Sequence, residues 1–267
     1  TMIKCACKWI IVALLIIRSS MDVIAQQVTM ASPDGKIVIE LFNLQNQSQG
    51  EWYLKVKYNQ QGNTSDIIPH IKLGISRSDQ DFSTQLKFLK AGKQIRISEM
   101  YNALHGKRSQ RSNLANETTI TFENPGKQKL NVIVRAYNDG IAFRYEFPES
   151  SGTFTVLDEL TAYIIPDSTD QWLEKFDLSN EGLYTKTRDG SIQQNWCYPA
   201  LFKSAENTWY LIHEADVSRS YCATKLSNLA GHNEFKVCLP LPEEGDGEAL
   251  PSITLPWKSP WRVIMMG

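Results

Sequence analysis

Past its first two dozen residues this sequence has no long apolar run, no sustained helical period, little net charge and very little cysteine. Each lack excludes something. Without a stretch near twenty apolar residues, the body of the chain offers no candidate membrane-spanning helix. Without apolar residues recurring every three or four positions over several turns, helical architectures fall away. A net charge of -1 gives no field to gather nucleic acid, so no nucleic-acid partner is expected. The histidines at 70, 105, 213 and 232 are too scattered for the spacing of a zinc site. Cys197, Cys222 and Cys238 allow one disulfide at most and leave a thiol over. The fold therefore does not rest on cross-links, and these three are expected as small buried hydrophobes.

The one apolar run lies at the start. Lys4 and Lys8 precede or abut Trp9-Ile-Ile-Val-Ala-Leu-Leu-Ile-Ile17, polar residues follow, and Val23-Ile-Ala25 ends in a small residue. A basic start, an apolar middle and a small residue at the cut are the layout of a secretory signal. The run is too short for an ordinary span, and a signal anchor is the alternative. Cys5 and Cys7 precede the run, so neither reads as a lipid-attachment residue. The expected organisation is a signal peptide over 1–25 and one domain over 26–267. The mature protein is expected to be periplasmic or secreted, with no stable membrane span.

What fills that domain is short alternating runs. Leu130, Val132 and Val134 alternate with polar or outward positions, then Asn138-Asp-Gly140, then Ile141, Phe143, Tyr145 and Phe147 alternate again. Period-two patterning on both sides of residues that tolerate positive φ predicts a hairpin with one face in a core. Ser32-Pro-Asp-Gly35 turns into Lys36–Phe42. Trp52–Tyr58, Thr118–Phe122, Thr153–Leu157, Ala162–Ile165, Trp209–His213, Phe235–Leu239 and Trp261–Met265 repeat the pattern, rich in threonine, valine, isoleucine and aromatics. Only Asp170–Phe176 offers a turn or two of helix. Many short antiparallel strands predict an all-β fold: a large antiparallel β-sandwich of two packed sheets with twelve or more strands. The last residues, Ser259–Gly267, end on a strand pattern and read as a cut at a domain boundary.

Seven words, in order, carry a resemblance: Ser32-Pro-Asp-Gly35, Gly106-Lys-Arg-Ser109, Tyr137–Tyr145, Asn180-Glu-Gly-Leu-Tyr-Thr-Lys186, Tyr198-Pro-Ala-Leu-Phe202, Ser220-Tyr-Cys-Ala223 and Pro260-Trp-Arg-Val-Ile264. They are spread in that order over essentially all of the mature chain, which resembles the N-terminal domain of glycoside hydrolase family 97. The resemblance implies a secreted, calcium-dependent α-glycosidase, an α-glucosidase or α-galactosidase acting on oligosaccharides. In that family the sandwich packs on a catalytic (β/α)₈ barrel, and a small C-terminal β domain follows. The alternating strand and helix segments of a barrel are absent from this sequence, so the fragment is expected to lack the catalytic acid and nucleophile and to be inactive alone. The alternative is a stand-alone carbohydrate-binding sandwich.

The resemblance also implies one metal ligand, Glu181, lent to a calcium ion shared with the missing catalytic domain. Calcium takes six to eight oxygens, so one carboxylate would not hold it alone; an ordinary exposed acid is the other reading. Glu243-Glu-Gly-Asp-Gly-Glu248 fits no calcium loop and reads as a solvated connection. His213-Glu214-Ala-Asp216 reads equally well as a proton-transfer pair or as a strand edge facing water, and no catalytic role is assigned to it. Trp172, Tyr184, Trp196, Tyr198 and Trp257 are expected in irregular segments, as core or inter-domain contacts more readily than as sugar platforms. Trp257 and Trp261 are expected to pack toward the barrel. Lys107, Arg108 and Arg111 read as a solvated loop, and Asp139 with Arg144 as hairpin architecture.

Overall fold

The computed structural model describes residues 28–44, 48–60, 62–188, 194–219, 221–244 and 250–267; the expected signal peptide over 1–25 lies outside them. Among the described residues every regular element is a strand, save one 3₁₀ turn at Pro242–Glu244. An eight-stranded antiparallel sheet runs, edge to edge, through Val28–Ala31, Ile37–Asn43, Trp52–Gln60, Asn63–Lys72, Ala162–Ile164, Glu234–Cys238, Lys225–Asn228 and Gln194–Trp196. A twelve-stranded sheet faces it. Its main path is Tyr184–Thr187, Asp170–Glu174, Ala200–Lys203, Trp209–Ala215, Trp261–Met266, Gly140–Phe147, Lys129–Tyr137, Gln110–Glu123, Leu86–Ala91 and Gln49–Gly50. Trp257–Lys258 and Ile95–Asn102 pair off that path. The all-β sandwich is as the alternation predicts, with one addition. Ser252–Thr254, Thr153–Glu159, Ile75–Arg77 and Asp81–Phe82 form a separate four-stranded sheet, whose Ile75, Phe82, Val156 and Ile253 join the common core.

The period-two pattern dictates which side chains meet. On Ile37–Asn43 the alternate residues Ile37, Ile39 and Leu41 are buried. They share one core with Val132, Val134, Phe143 and Tyr145 of the facing sheet. Trp52 spans the two layers, donating its indole N–H to Leu86 O at 2.8 Å. The first turn meets the central hairpin, where Asp34 N donates to Asn138 Oδ1 at 3.0 Å.

Two local expectations need correction. Asp170–Glu174 is a strand, not a helical turn. It pairs with Tyr184–Thr187 and Ala200–Lys203, and Gln171 and Leu173 point to the core. Tertiary pairing overrides the weak helical period of so short a segment. The hairpin turn is correctly placed, with Tyr137 opposite Gly140, but Asn138 and Asp139 do not use positive φ; Gly140 does, at 159°.

Candidate functional site

The segment 175–183 joins two neighbouring strands of the large sheet and is braced from within. Ser179 donates its N–H and its hydroxyl to Asp177 Oδ1 at 2.8 and 2.5 Å, and Asn180 N donates to Asp177 O at 3.1 Å. The Ser179 bonds hold the Asp177 carboxyl below the usual carboxylate range. Asn180 takes a left-handed φ of 51°, a conformation asparagine tolerates better than most residues. Gly182 N then donates to Glu174 Oε1 at 2.6 Å. Glu174 is buried, and a Cβ at position 182 would stand 3.0 Å from the same oxygen, so the loop lies closely over it. Between these anchors Glu181 is exposed and has no hydrogen bond or ion pair among the described residues. Leu178 and Leu183, 69% and 88% exposed, flank it.

Beside the loop opens a cleft of about 630 Å³, lined by Phe176, Asn180, Tyr198, His213, Thr224 and Lys225, with all three described cysteines on its walls. Two ionic networks support those walls. Lys225 is buried, pairs with Glu244, and lies over the Phe176 ring at 4.3 Å. Deeper, Arg262 grips Glu159 through two bonds, Nε to Oε1 at 2.7 Å and Nη2 to Oε2 at 2.6 Å, and Nη1 reaches Glu214 Oε2 at 2.6 Å. Tyr221 and Thr161 hydroxyls donate to Glu159 at 2.9 and 3.0 Å. Glu214 in turn accepts from Thr224 N at 2.9 Å and Thr224 Oγ1 at 2.7 Å. Burial alone would lower the Arg262 guanidinium, but Glu159 and the other partners hold it well above its ordinary value. An arginine shared by two carboxylates thus ties the core to the cleft wall.

The structure relocates several residues that the sequence singles out. Glu214 is not a water-facing acid: it points inward to Arg262, whereas His213 is exposed and meets the Tyr198 ring edge at 5.9 Å. Asp216 pairs with Arg144 at 3.3 Å, and Arg144 lies over Trp261 at 4.1 Å, so Asp139 is not its partner. Of the acidic run, 245–248 lie outside the described residues; Glu244 is not merely solvated, since it neutralises Lys225. Cys197 is buried, whereas Cys222 and Cys238 are only half-buried at the cleft, Cys222 packed against the edge of the core. Burial pushes all three thiols up.

Among the aromatics, Trp172, Tyr184, Trp196 and Trp257 lie on strands rather than in irregular segments. Trp196 and Trp257 are buried. Trp257 stacks on Phe147 at 5.6 Å and faces Tyr221 at 5.3 Å, so it packs into this core and not outward. Lys107 and Arg108 are exposed at the tip of the ribbon formed by Ile95–Asn102 and Gln110–Glu123. Sequence reasoning missed the Glu159–Arg262 pair. The signal was a charged residue at the inward phase of an apolar strand, with Trp261, Val263 and Met265 on the other face.

No group of three or more histidine, cysteine, aspartate or glutamate side chains is arranged to hold a metal among the described residues. Glu181 could therefore supply only one oxygen ligand set, and any calcium ion, with its need for six to eight oxygens, would be completed from elsewhere.

Among the described residues this is a β-sandwich that presents a braced, acid-bearing loop over a cleft. The family model described as Glycosyl-hydrolase 97 N-terminal matches residues 30–267, and the chain belongs to that family. A curated relative from Streptomyces bingchenggensis (strain BCW-1), described as a probable retaining alpha-galactosidase, is 29% identical over 203 residues, 75% of this chain and 30% of its own length. A solved beta-arabinopyranosidase superposes with a TM-score of 0.81 at 29% identity, covering 90% of this chain and 40% of that one. A variant of a glycoside hydrolase family 97 enzyme from Pseudoalteromonas sp. strain K8 shares the fold with a TM-score of 0.76 at 24% identity, over 90% and 35%. The chain thus spans less than half the length of these relatives. It is the N-terminal domain type of a glycoside hydrolase.

Proposed function

We propose that this chain is the sandwich portion of a secreted, calcium-dependent α-glycosidase, an α-galactosidase or α-glucosidase acting on oligosaccharides. In this reading the chemistry belongs to a (β/α)₈ barrel in the remainder of the parent protein, and the sandwich lends that barrel Glu181 as a calcium ligand. When bound, calcium would supply positive charge beside the reacting sugar. This chain's part is to hold one carboxylate at a fixed height above the sheet.

The observation that carries the proposal is the contrast between Glu181 and its neighbours. Residues on both sides are pinned, at Asp177 and at Glu174, while the acid itself is exposed. With the backbone on both sides already fixed, only the Glu181 side-chain rotamers remain to be ordered on meeting an ion. The alpha-galactosidase relative supports the substrate class.

The test is Glu181→Gln in the parent enzyme, with activity followed against free calcium. The calcium concentration for half-maximal activity should rise at least roughly tenfold, a loss already usual for groups that only support a ligand. An unchanged calcium response would remove Glu181 from the shell.

A further inference from the structure

The geometry points to the outer face of the large sheet, between Asp170–Glu174 and Trp261–Met266, as the surface on which the rest of the parent protein docks. This rests on the reading above that such a remainder exists. It adds where that remainder sits.

The register sets out the face. Trp172, Leu201, Leu211 and Met265 are paired in one row across four neighbouring strands. Their chain neighbours Phe202, Tyr210, Ile212 and Ile264 are buried, so the row points away from the core. Val263 and Trp261 continue it along the last strand. The strip measures roughly 15 Å across and 13 Å along. That suits the apolar centre of a protein interface better than one pyranose ring.

The other outer face is built differently. On the eight-stranded sheet, ion pairs dress the surface: Lys57 with Glu40 at 2.6 Å, Lys55 with Asp66 at 3.3 Å and Lys72 with Glu51 at 2.8 Å. Beside a Phe42–Tyr53–His70 ring cluster, paired charges thus dominate that face, whereas the row on the large sheet carries none. At about 200 Å² the strip is smaller than a patch that marks an interface by size alone, so its occupant is identified by what stands beside it.

Two observations choose the occupant. First, the indoles are not an open sugar platform. Trp172 and Trp209 stack on each other at 4.9 Å, with Lys186 over the first ring at 5.1 Å and Lys203 over the second at 5.3 Å. Second, the Glu181 loop stands on this same side. Glu174 follows Trp172 at outward phase, pairs with Tyr184, and is covered by Gly182. A body that receives the Glu181 carboxylate is therefore already above the strip. The relatives, of which this chain covers 30% and 40%, have the polypeptide to supply it.

Hydroxyl-radical footprinting of the parent protein tests this without reference to catalysis. Met100, on the exposed ribbon and 71% accessible, serves as the internal reference for Met265, 49% accessible in this chain. Covered by the remainder, Met265 should oxidise at least tenfold more slowly than Met100. Leu211→Glu should restore its oxidation, whereas Val38→Glu, on the half-buried outer face of the other sheet, should not. Oxidation of Met265 within threefold of Met100 overturns the proposal. So does protection that disappears on dilution, because the face would then bind a second copy. A parent protein with protected Met265 but no calcium response at Glu181 would leave the docking face standing and sink only the ligand role.

Discussion

Gly140 passes so close to Ile264 on the adjacent strand that an added Cβ would stand 2.3 Å from the Ile264 carbonyl oxygen. Its φ of 159° adds a backbone demand to the steric one. Gly140→Ala should therefore cost about 3 kcal/mol, at the upper end for overpacking. Gly35, with φ of 76° and open space around it, should cost only roughly 1–2 kcal/mol on the same change. Urea unfolding of the two variants checks the order; equal losses would mean that the strand contact is not what selects glycine at 140.

That glycine shows what the sequence could and could not tell. Asn138-Asp-Gly140 marked the turn, because its residue types announce a hairpin whatever surrounds them. The reason for the glycine lay in Ile264, 124 positions along the chain, and no local pattern carries that. The same division holds elsewhere. Alternation over Trp52–Tyr58 and Trp209–His213 placed the strands that run Trp52–Gln60 and Trp209–Ala215, since burial of one face follows from period two. It could not foresee that Asp170–Glu174 would be recruited as a strand by its neighbours on both sides. Glu181 came from a resemblance, not from its surroundings in the sequence. The bracing at Asp177 and Glu174 emerged only in three dimensions, as did the burial of Glu214.

Arg262 and Glu159, both fully buried, should behave as a unit. Arg262→Met leaves two carboxylates facing a space without a cation, and breaking a buried pair in this way costs about 3–5 kcal/mol. Changing all three together, Arg262→Met with Glu159→Gln and Glu214→Gln, removes the charges and should recover part of that loss. Chemical denaturation of the single and triple variants reads the difference. If the triple variant is the less stable by the sum of its parts, the network is not coupled.

The outer face of the eight-stranded sheet should register pH. Lys72 donates to Glu51 at 2.8 Å and holds its carboxyl below the usual range, with Tyr53 adding a second donor at 3.0 Å. A carboxyl depressed in the fold stabilises it above the ordinary carboxylate value of 4.5, and that contribution is lost as pH falls below about 5. Burial and the bond to Glu51 push Tyr53 up to about 12 from 10. Its contribution is present below pH 10 and disappears as pH rises through about 12. Lys72→Met should flatten the acid limb of a stability profile, and Tyr53→Phe the alkaline limb. Unaltered limbs would show that other groups set the profile.

Cys222 should be a poor nucleophile despite its place on the cleft wall. Burial pushes its thiol up to about 11 from the ordinary 9, and only the thiolate reacts. Two units correspond to a thiolate population roughly a hundredfold smaller at neutral pH. Native Cys222 should therefore react with iodoacetamide about a hundredfold more slowly than the same residue in the unfolded chain. The native rate should climb about tenfold per pH unit and level off near 11. Cys222→Ala identifies the phase, since Cys197 and Cys238 are raised as well. A plateau near 9 would mean that the cleft leaves the thiol in contact with water, and that an oxidising compartment would have access to it.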